Sequence, residues 1–332
     1  MPEPLLAVEE LSVAFPGAGG DVGVVRRLSF EIAPGEFVGL VGESGCGKSI
    51  TALALLRLVP EPGRITGGRI LLDGDNLMDL AESEMRRVRG GRIGMVFQEP
   101  MSALNPVLSV GFQIAEAVRA HHAVSRREAR EEAARLLELV AMPAPRQRLK
   151  DYPHQLSGGQ RQRVMIAIAL AAKPDLVVAD EPTTALDVTV QAQILELLES
   201  LRQKLGLAVL LITHDLAVVA ETCDRVVVMY AGQGVEEAPI GGIFSAPAHP
   251  YTRGLLAAVP RLGGGVRGGE LPAIPGQVPE PARLPEGCAF HPRCAEVMEE
   301  CRRRQPETYR VAERQTARCF LHRPPVSEAS PE

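Results

Sequence analysis

The residues with the clearest chemical meaning form a glycine-rich loop near the N-terminus. The eight residues from Gly42 to Ser49 read Gly-Glu-Ser-Gly-Cys-Gly-Lys-Ser, which fits the pattern of a phosphate-binding loop. An apolar run precedes the loop and a helical pattern follows it, as phosphate binding requires. Backbone N–H groups and the helix N-terminus would face phosphate oxygens, while Lys48 would reach the β- and γ-phosphates and Ser49 would ligate Mg²⁺. An ordinary glycine-rich turn is the alternative, and it leaves this context unexplained.

Two adjacent carboxylates follow a second apolar run. Residues 176–181 read Leu-Val-Val-Ala-Asp-Glu, so a buried strand is expected to end at Asp180 and Glu181. Asp180 would hold Mg²⁺, and Glu181 would orient and deprotonate an attacking water. Taken alone, the pair could equally be a solvated acidic turn. Its catalytic interpretation depends on the Leu-Ser-Gly-Gly-Gln segment that precedes it at residues 156–160.

Two more polar residues stand where apolar strands are expected to end. His214 follows the run at residues 208–213, and Gln98 follows the run at residues 92–97. Ligands of open α/β sheets bind at the carboxyl ends of the strands. His214 could therefore donate to the γ-phosphate, and Gln98 could reach both Mg²⁺ and the attacking water. The alternative for His214 is a capping or solvated histidine, and a lone glutamine carries no functional signal of its own.

Taken in order, these motifs resemble those of the ATP-binding subunit of an ABC transporter. The chain carries, in order, a phosphate loop (residues 42–49), a Q-loop glutamine (Gln98), a signature (157–160), a carboxylate pair (180–181), a D-loop (185–187, Ala-Leu-Asp) and a switch histidine (His214). The match covers roughly residues 5–240. It implies an α/β P-loop NTPase cassette with a RecA-like core, an antiparallel β subdomain and a helical subdomain.

The resemblance also implies contacts with ATP and Mg²⁺. Phe15 takes the place of an adenine-stacking aromatic residue that is usually tyrosine, and the signature reaches the γ-phosphate bound to an opposite cassette. The implied catalytic residues are Glu181, His214 and Gln98, and the implied Mg²⁺ ligands are Ser49, Gln98 and Asp180. The full implied nucleotide-binding set is Phe15, Gly42, Glu43, Ser44, Gly45, Cys46, Gly47, Lys48, Ser49, Ile50, Gln98, Ser157, Gly158, Gly159, Gln160, Asp180 and Asp187.

Three segments narrow the resemblance to the dipeptide, oligopeptide and nickel importer branch, and to the D-type ATPase of a dipeptide permease. They read Phe-Gln-Glu-Pro-Met-Ser-Ala-Leu-Asn-Pro at 97–106, Ala-His-Pro-Tyr-Thr-Arg-Gly-Leu-Leu at 248–256, and Gly-Cys-Ala-Phe-His-Pro-Arg-Cys at 287–294. They do not separate peptide from nickel. The branch implies a second ATPase chain of a related F type, two transmembrane permease subunits and an extracytoplasmic solute-binding protein.

Two other classes of function compete with this one. A non-transport ABC ATPase generally carries two cassettes or a long coiled-coil insertion, whereas only a short helical region separates Lys48 from Ser157 here. A regulatory module with an inactive site would be expected to lack catalytic groups, yet Glu181 and His214 are both present. The sequence therefore favours an active transporter ATPase.

Composition and charge exclude some classes of partner. The 332 residues carry a net charge of −5, which argues against general binding of nucleic acid. No apolar run approaches the roughly 18–20 residues that span a bilayer, and the N-terminus does not resemble a signal peptide. The expected location is peripheral, on the cytoplasmic face of the cell (inner) membrane.

The order of patterns predicts a cassette over residues 1–240, with a helical subdomain at about 99–175, and a C-terminal extension over 241–332. Ser125 and Glu128 form a capping box that opens a helix. Apolar residues at helical spacing over 188–205 predict another helix with a buried stripe. Residues 225–237 are expected to form a hairpin, and residues 261–287 are rich in Gly and Pro, as in a linker or an extended wrap.

Six cysteines are distributed unevenly along the chain. Cys46 is a tolerated small residue or a thiol whose pKa the helix N-terminus lowers, and Cys223 is expected to be buried. The other four, Cys288, Cys294, Cys301 and Cys319, lie within 32 residues. This clustering suggests a metal site, although the pairs with two intervening residues that are common in zinc sites are missing. The importer branch implies a [4Fe–4S] cluster, with zinc or free thiols as alternatives. The nearby residues Arg293, Arg302–Arg304 and Arg318 would offset the charge of four thiolates or form a solvated basic face.

Overall fold

A computed structural model describes residues 3–184, 186–259 and 273–324, and these residues form two β-sheets with helices around them. The four-stranded sheet has the order β2-β1-β4-β5, and the eight-stranded sheet has the order β11-β12-β10-β9-β3-β8-β7-β6. The strands are β1 (Leu6–Gly17), β2 (Gly20–Ile32), β3 (Phe37–Val41), β4 (Arg64–Leu72), β5 (Asp75–Asn76), β6 (Ile93–Val96), β7 (Leu176–Asp180), β8 (Ala208–Thr213), β9 (Arg225–Tyr230), β10 (Gln233–Pro239), β11 (Tyr309–Ala312) and β12 (Gln315–Ala317).

The centre of the large sheet is parallel. Neighbouring strands pair in parallel, without bulges, in the order β9, β3, β8, β7 and β6. All residues of β3, β7, β8 and β9 are buried. Continuous apolar runs are typical of parallel strands covered on both faces. Because parallel strands all point the same way, the residues after β3, β6, β7 and β8 meet at one edge of the sheet.

The large sheet separates two hydrophobic cores. Successive residues of a strand point to opposite faces, so Phe37 and Val41 pack into one core while Val38 and Leu40 pack into the other. The first core is shared with the helical region and the C-terminal segment. The second is shared with the four-stranded antiparallel sheet, as the positions of Leu6, Leu28 and Ile70 show.

Most helices lie where the sequence predicts them. They are α1 (Lys48–Leu55), α2 (Glu82–Val88), α3 (Pro100–Ala103), α4 (Val110–His121), α5 (Arg126–Leu139), α6 (Pro145–Arg148), α7 (Gly158–Ala169), α8 (Val188–Leu205), α9 (Leu216–Thr222), α10 (Ile240–Ser245), α11 (Pro250–Ala258) and α12 (Glu299–Arg303). Helices α4, α5 and α7 pack on one another, and Ser125 forms the predicted capping box with Glu128. The buried stripe of α8 is confirmed at Ile194, Leu197 and Leu201, whereas Leu205, in the last turn, is 47% exposed.

The C-terminal segment extends the large sheet instead of standing apart from it. Strand β12 pairs antiparallel with β10, and β11 pairs with β12. The Glu236 carboxylate, on β10, accepts hydrogen bonds from the backbone N–H groups of Ala248 and His249 and from the Gln315 side chain. All four residues are buried. A buried carboxylate with three donors fixes the segment against the cassette.

Candidate functional site

The phosphate loop connects β3 to α1 at the edge where the parallel strands end. Gly47 is the N-cap of α1, with φ of 103°, in the left-handed region that favours glycine. A Cβ atom there would lie 2.8 Å from the Val24 carbonyl oxygen on β2. The close approach of β2 therefore requires glycine at this position, and it fixes the turn that points α1 at the loop.

The Lys48 side chain is buried and hydrogen-bonded within the loop. Its Nζ atom donates to the carbonyl oxygens of Gly42, at 2.8 Å, and Glu43, at 3.2 Å. Among the described residues, no carboxylate lies within ion-pair distance of this ammonium group. A buried cation whose partners are neutral carbonyl groups is suited to bind an anion such as a phosphate.

Ser49 and Asp180 meet, although 130 residues separate them in sequence. The Ser49 hydroxyl donates to Asp180 Oδ1 at 3.1 Å, and Asp180 is the last residue of β7. Burial raises the pKa of the Asp180 carboxyl, and the hydrogen bond from Ser49 opposes that rise. Hydroxyl and carboxylate oxygens are hard ligands that suit Mg²⁺, so two of the three predicted ligands lie together beside the loop, while the third, Gln98, contacts Glu181.

Glu181 lies at the centre of the other predicted catalytic side chains. Its φ of 44° is in the left-handed region, and its backbone N–H donates to the Ile212 carbonyl oxygen on β8. Gln98 Nε2 donates to Glu181 Oε2 at 3.3 Å, and His214 Nδ1 lies 3.3 Å from Glu181 Oε1. The structure thus brings together three residues that the sequence places 116 positions apart (98 to 214).

Thr184 completes this group and was not predicted. Its hydroxyl donates to Glu181 Oε2 at 2.9 Å, so Oε2 accepts from both Thr184 and Gln98. Non-glycine residues with positive φ are strained and persist where surrounding contacts hold them. The segment after β7 has the sequence pattern of a loop. The one sequence signal for a hydroxyl partner of Glu181 is the Pro-Thr-Thr run that follows it.

Three other residues of the predicted nucleotide site, Cys46, Phe15 and Ile50, differ in burial and in the element that carries them. Cys46 is buried, and burial raises the pKa of its thiol. This direction is opposite to the lowered pKa of the thiol alternative, because desolvation of the thiolate is the largest cause, and it favours the other alternative, a tolerated small residue. Phe15 lies on β1 opposite Val22 and packs on Gly63, where a Cβ atom would be 2.5 Å from its ring. Ile50 is half-buried on α1.

Known proteins resemble this chain over nearly its whole length. The family described as ABC transporter matches residues 25–184, and the family described as oligopeptide/dipeptide transporter, C-terminal region, matches residues 235–301. The oligopeptide transport ATP-binding protein AppD of Bacillus subtilis is 48% identical over 327 residues, 98% of this chain and 99% of the relative. A Brucella abortus protein named for peptide import and ATP binding is 54% identical over 303 residues, 91% of each chain.

The chain belongs to the ABC transporter family of ATP-binding proteins. Solved structures agree with this assignment. A dimeric bacterial ABC transporter cassette superimposes with a TM-score of 0.64 at 30% identity, covering 71% of this chain and 98% of that one. A structure of the same cassette with ADP and phosphate, described as a post-hydrolysis state, gives a TM-score of 0.63. The predicted ABC cassette fold is confirmed.

The ABC signature lies outside the group of residues around Glu181. Ser157 is the N-cap of α7 and forms a capping box with Gln160: Ser157 Oγ accepts from Gln160 N–H at 3.4 Å, and Gln160 Oε1 accepts from Ser157 N–H at 3.1 Å. Ser157 and Gly158 are exposed. Within the described part of the chain, no hydrogen bond joins residues 157–160 to residues 42–49. The signature presents a helix N-terminus, with its partial positive charge, to solvent.

The D-loop lies beside the signature. Asp187 is the N-cap of α8 and accepts a hydrogen bond from Val190 N–H at 2.9 Å. Leu186 packs against Gly158, and Val190 packs against Gly159, where a Cβ atom would lie 2.6 Å from its Cγ1. Ala185, predicted as part of this loop, lies outside the described residues. The D-loop and signature therefore form one surface of the cassette.

The four C-terminal cysteines line one small cavity. Cys288, Cys294, Cys301 and Cys319 all contribute to its wall, together with His249 and Phe290. Burial raises the pKa of Cys288, Cys294 and Cys319, and the neighbouring thiols oppose ionisation further. Four thiols are a suitable donor set for zinc or an iron–sulfur cluster. As placed, however, no three His, Cys, Asp or Glu side chains of residues 3–184, 186–259 and 273–324 are grouped to hold a metal ion.

Two residues of the C-terminal segment contact the phosphate loop, and the sequence did not predict either contact. The Arg293 guanidinium pairs with the Glu43 carboxylate, and the Tyr251 hydroxyl accepts from Glu43 N–H. Arg293 was expected to offset thiolate charge or to belong to a solvated basic face. It is buried and paired with Glu43 instead. Contacts between residues 250 positions apart carry no signal in a single sequence.

Proposed function

We propose that this chain is the ATP-hydrolysing subunit that powers peptide import through an ABC transporter. One observation carries the enzymatic part of the proposal. The Glu181 carboxylate lies within 3.3 Å of both Gln98 and His214, one residue after the Asp180 that contacts Ser49. A general base, a metal site and a phosphate loop converge at one edge of the sheet, which is the arrangement that phosphoryl transfer to water requires.

The roles follow from the positions of the side chains. The loop over residues 42–49 binds the phosphates of ATP, with Lys48 exchanging its carbonyl partners for phosphate oxygens. Ser49, Asp180 and Gln98 would hold Mg²⁺, and the ion would neutralise charge that develops on the transferred phosphoryl group. Glu181 takes a proton from the attacking water, while Gln98 and His214 orient that water and the γ-phosphate.

A second cassette completes the site. Ser157, Gly158, Gly159 and Gln160 reach the γ-phosphate held by the opposite cassette, and Asp187 lies at the same surface. ATP then binds both surfaces at once and draws the cassettes together, and hydrolysis lets them separate. The exposed, positively polarised N-terminus of α7 supports this role, since helix N-termini bind anions. We propose that the second cassette is a related but different chain, of the F type.

Peptides are the proposed solute. The relatives named for oligopeptide and dipeptide transport in Bacillus subtilis are each 48% identical to this chain over 96–98% of its length. The similarity includes the C-terminal region, which the oligopeptide/dipeptide transporter family matches at residues 235–301. Nickel is the main alternative solute, and the transport assay below distinguishes the two.

Transmembrane subunits must form the path for the solute. In the part of the chain that the structure describes, no helix is both long and apolar enough to cross a bilayer. From the relatives named for peptide import and transport, we propose two permease subunits, an extracytoplasmic solute-binding protein, and a peripheral position on the cytoplasmic face of the cell inner membrane.

Reconstituted uptake tests the function as a whole. Membrane vesicles that contain the assembled transporter are supplied with ATP on the side that carries this chain. Labelled dipeptide, labelled oligopeptide or nickel is added on the opposite side. The proposal predicts peptide accumulation that Glu181→Gln removes. Nickel accumulation without peptide accumulation would change the solute, and accumulation that persists in Glu181→Gln would refute the role of this chain.

We also propose that Cys288, Cys294, Cys301 and Cys319 hold a [4Fe–4S] cluster that ties down the proline-rich tail. The shared cavity and the four-thiol donor set support this proposal, while binding requires the side chains to move closer together. Protein purified without oxygen should be brown, with about four iron and four sulfide per chain. Stoichiometric zinc would replace the cluster by a zinc site, and four alkylatable thiols without metal would refute both.

A further inference from the structure

The Glu43 carboxylate places negative charge in the phosphate-binding loop, beside the proposed anion site. The carboxylate is paired by the Arg293 guanidinium, with Nη1 at 2.7 Å from Oε2 and Nη2 at 3.0 Å from Oε1. Two parallel N–H···O bonds of this kind are among the strongest that side chains form. The Arg293 side chain is 5% exposed and that of Glu43 is 31% exposed, so solvent screens the pair only in part.

Arg293 is held rigidly on the C-terminal side. Its Nε donates to the Pro275 carbonyl oxygen at 2.9 Å, and its guanidinium carbon lies 5.8 Å from the centre of the Tyr230 ring. Tyr230 in turn packs edge-on against Phe290, with ring centres 5.2 Å apart. An arginine fixed in this way loses little further side-chain entropy when it pairs with Glu43.

Tyr251 holds the backbone of the same loop residue. Its hydroxyl accepts from Glu43 N–H at 3.0 Å, and the residue is fully buried on α11. The Tyr251 ring packs on those of Tyr230 and Phe290, at 4.7 and 5.4 Å between centres. Glu43 is therefore held at its backbone by Tyr251 and at its carboxylate by Arg293, while its carbonyl oxygen accepts from Lys48.

We propose that Arg293 and Tyr251 are positioning residues for ATP binding: Arg293 neutralises the Glu43 carboxylate, and together they fix the phosphate loop in its binding shape. The C-terminal segment thus sets the ATP affinity of the cassette from outside the nucleotide site. This inference rests on the proposed ATP site at residues 42–49. Arg293 also lies in the turn between Cys288 and Cys294, so the order of that turn is transmitted to the loop.

Equilibrium binding of ATP to the full-length chain tests the proposal. Arg293→Met keeps the bulk of the side chain but leaves the Glu43 charge unpaired, so we expect the Kd for ATP to rise about tenfold. Tyr251→Phe removes one hydroxyl and should raise the Kd about threefold. Arg303→Met and Tyr309→Phe are matched controls in the same segment, and both should bind as the unmodified chain does.

Charge neutralisation makes a sharper prediction for the double variant. Glu43→Gln removes the charge that Arg293 balances, so Glu43→Gln with Arg293→Met should bind ATP more tightly than Arg293→Met alone. A role in fixing the loop shape alone predicts no such recovery, because Glu43→Gln restores none of the contacts that Arg293→Met removes. In steady-state assays of the assembled transporter, the KM for ATP should rise in Arg293→Met while kcat at saturating ATP is retained.

The outcomes separate the proposal from the ATP site on which it rests. Lys48→Ala should lose most ATP binding; if it binds normally, the site at residues 42–49 is wrong. If Lys48→Ala loses binding while Arg293→Met and Tyr251→Phe stay within twofold of the unmodified chain, the positioning role is refuted. If Arg293→Met fails to fold, ATP binding by Tyr251→Phe and by the double variant Glu43→Gln with Arg293→Met decides the question by the same criteria.

Discussion

The two surfaces with nucleotide motifs differ in what they contact. Around Glu181, each predicted side chain has a partner from another strand end, and Lys48 and Asp180 are buried. Around Ser157, the side chains of Ser157 and Gln160 bond to each other's backbone N–H groups, and Ser157 and Gly158 face solvent. The first surface is assembled from several strand ends, and the second is the N-terminus of one helix, α7.

This difference supports the proposal that one cassette provides half of each nucleotide site. A group that needs precise placement, such as a general base, benefits from partners supplied by several strands of a rigid sheet. A group that must bind and release with each cycle benefits from being exposed and held only by its own helix. The comparison predicts that variants on the first surface affect binding or chemistry in the isolated chain, whereas variants on the second act only across the cassette pair.

Removal of the base at Glu181 should have the largest effect. Glu181→Gln keeps the shape of the side chain and its partners Gln98 and Thr184 but cannot accept the proton, so ATP hydrolysis should fall about 10²- to 10⁴-fold while ATP binding is retained. Steady-state hydrolysis by the assembled transporter and nucleotide binding check both halves. Glu196→Gln, on the exposed face of α8, should change neither; normal hydrolysis by Glu181→Gln would reassign the base.

Lys48 should control affinity more than chemistry. Lys48→Ala deletes a buried cation that faces the phosphate site, so we expect the Kd for ATP to rise roughly 10- to 100-fold. Titration of the isolated chain with a fluorescent ATP analogue measures this, and Lys204→Ala, on an exposed turn of α8, is the control. An unchanged Kd in Lys48→Ala would show that the first surface does not hold the phosphates.

The Asp180 carboxylate should lower the folding stability of the nucleotide-free chain, while it serves as a ligand for Mg²⁺. Its raised pKa means that the folded chain holds the proton more tightly than the unfolded chain. The stability of the nucleotide-free chain should therefore fall as the pH rises from the usual 3.8 through the raised pKa. Asp180→Asn removes this dependence and should raise the Tm at neutral pH, while Mg²⁺ affinity falls about 10- to 100-fold. A lower Tm with unchanged Mg²⁺ affinity would contradict this account.

Much of the first surface could be predicted from the sequence because its residues follow apolar strands. Parallel strands bring their carboxyl ends together, so the sequence predicts that Lys48, Asp180, Glu181 and His214 lie at one edge of the sheet. The capping box at Ser125 is a local pattern of four residues, and it is present in the structure. Local chemistry and strand order were sufficient for these features.

Other features depend on contacts that sequence spacing does not encode. Strands β11 and β12 are short and polar, and they join the large sheet only because β10 offers a free edge. Tyr251 and Arg293 were missed because each contacts a residue more than 200 positions away, whereas Thr184 was missed although it contacts Glu181 within one loop. The burial of Cys46, in the core shared with the four-stranded sheet, is likewise a tertiary effect.

Ser157→Asp tests the central claim, that the second surface acts on nucleotide bound elsewhere. Aspartate is as good an N-cap as serine, so α7 should keep its cap while a negative charge faces the partner's phosphate. Ser125→Asp makes the same change at the matching capping box of α5. ATP binding by the isolated chain and ATP hydrolysis by the assembled transporter should be measured for both. The account predicts normal ATP binding by both variants and loss of hydrolysis in Ser157→Asp alone. Loss of ATP binding by isolated Ser157→Asp, or normal hydrolysis by its assembled transporter, would contradict it.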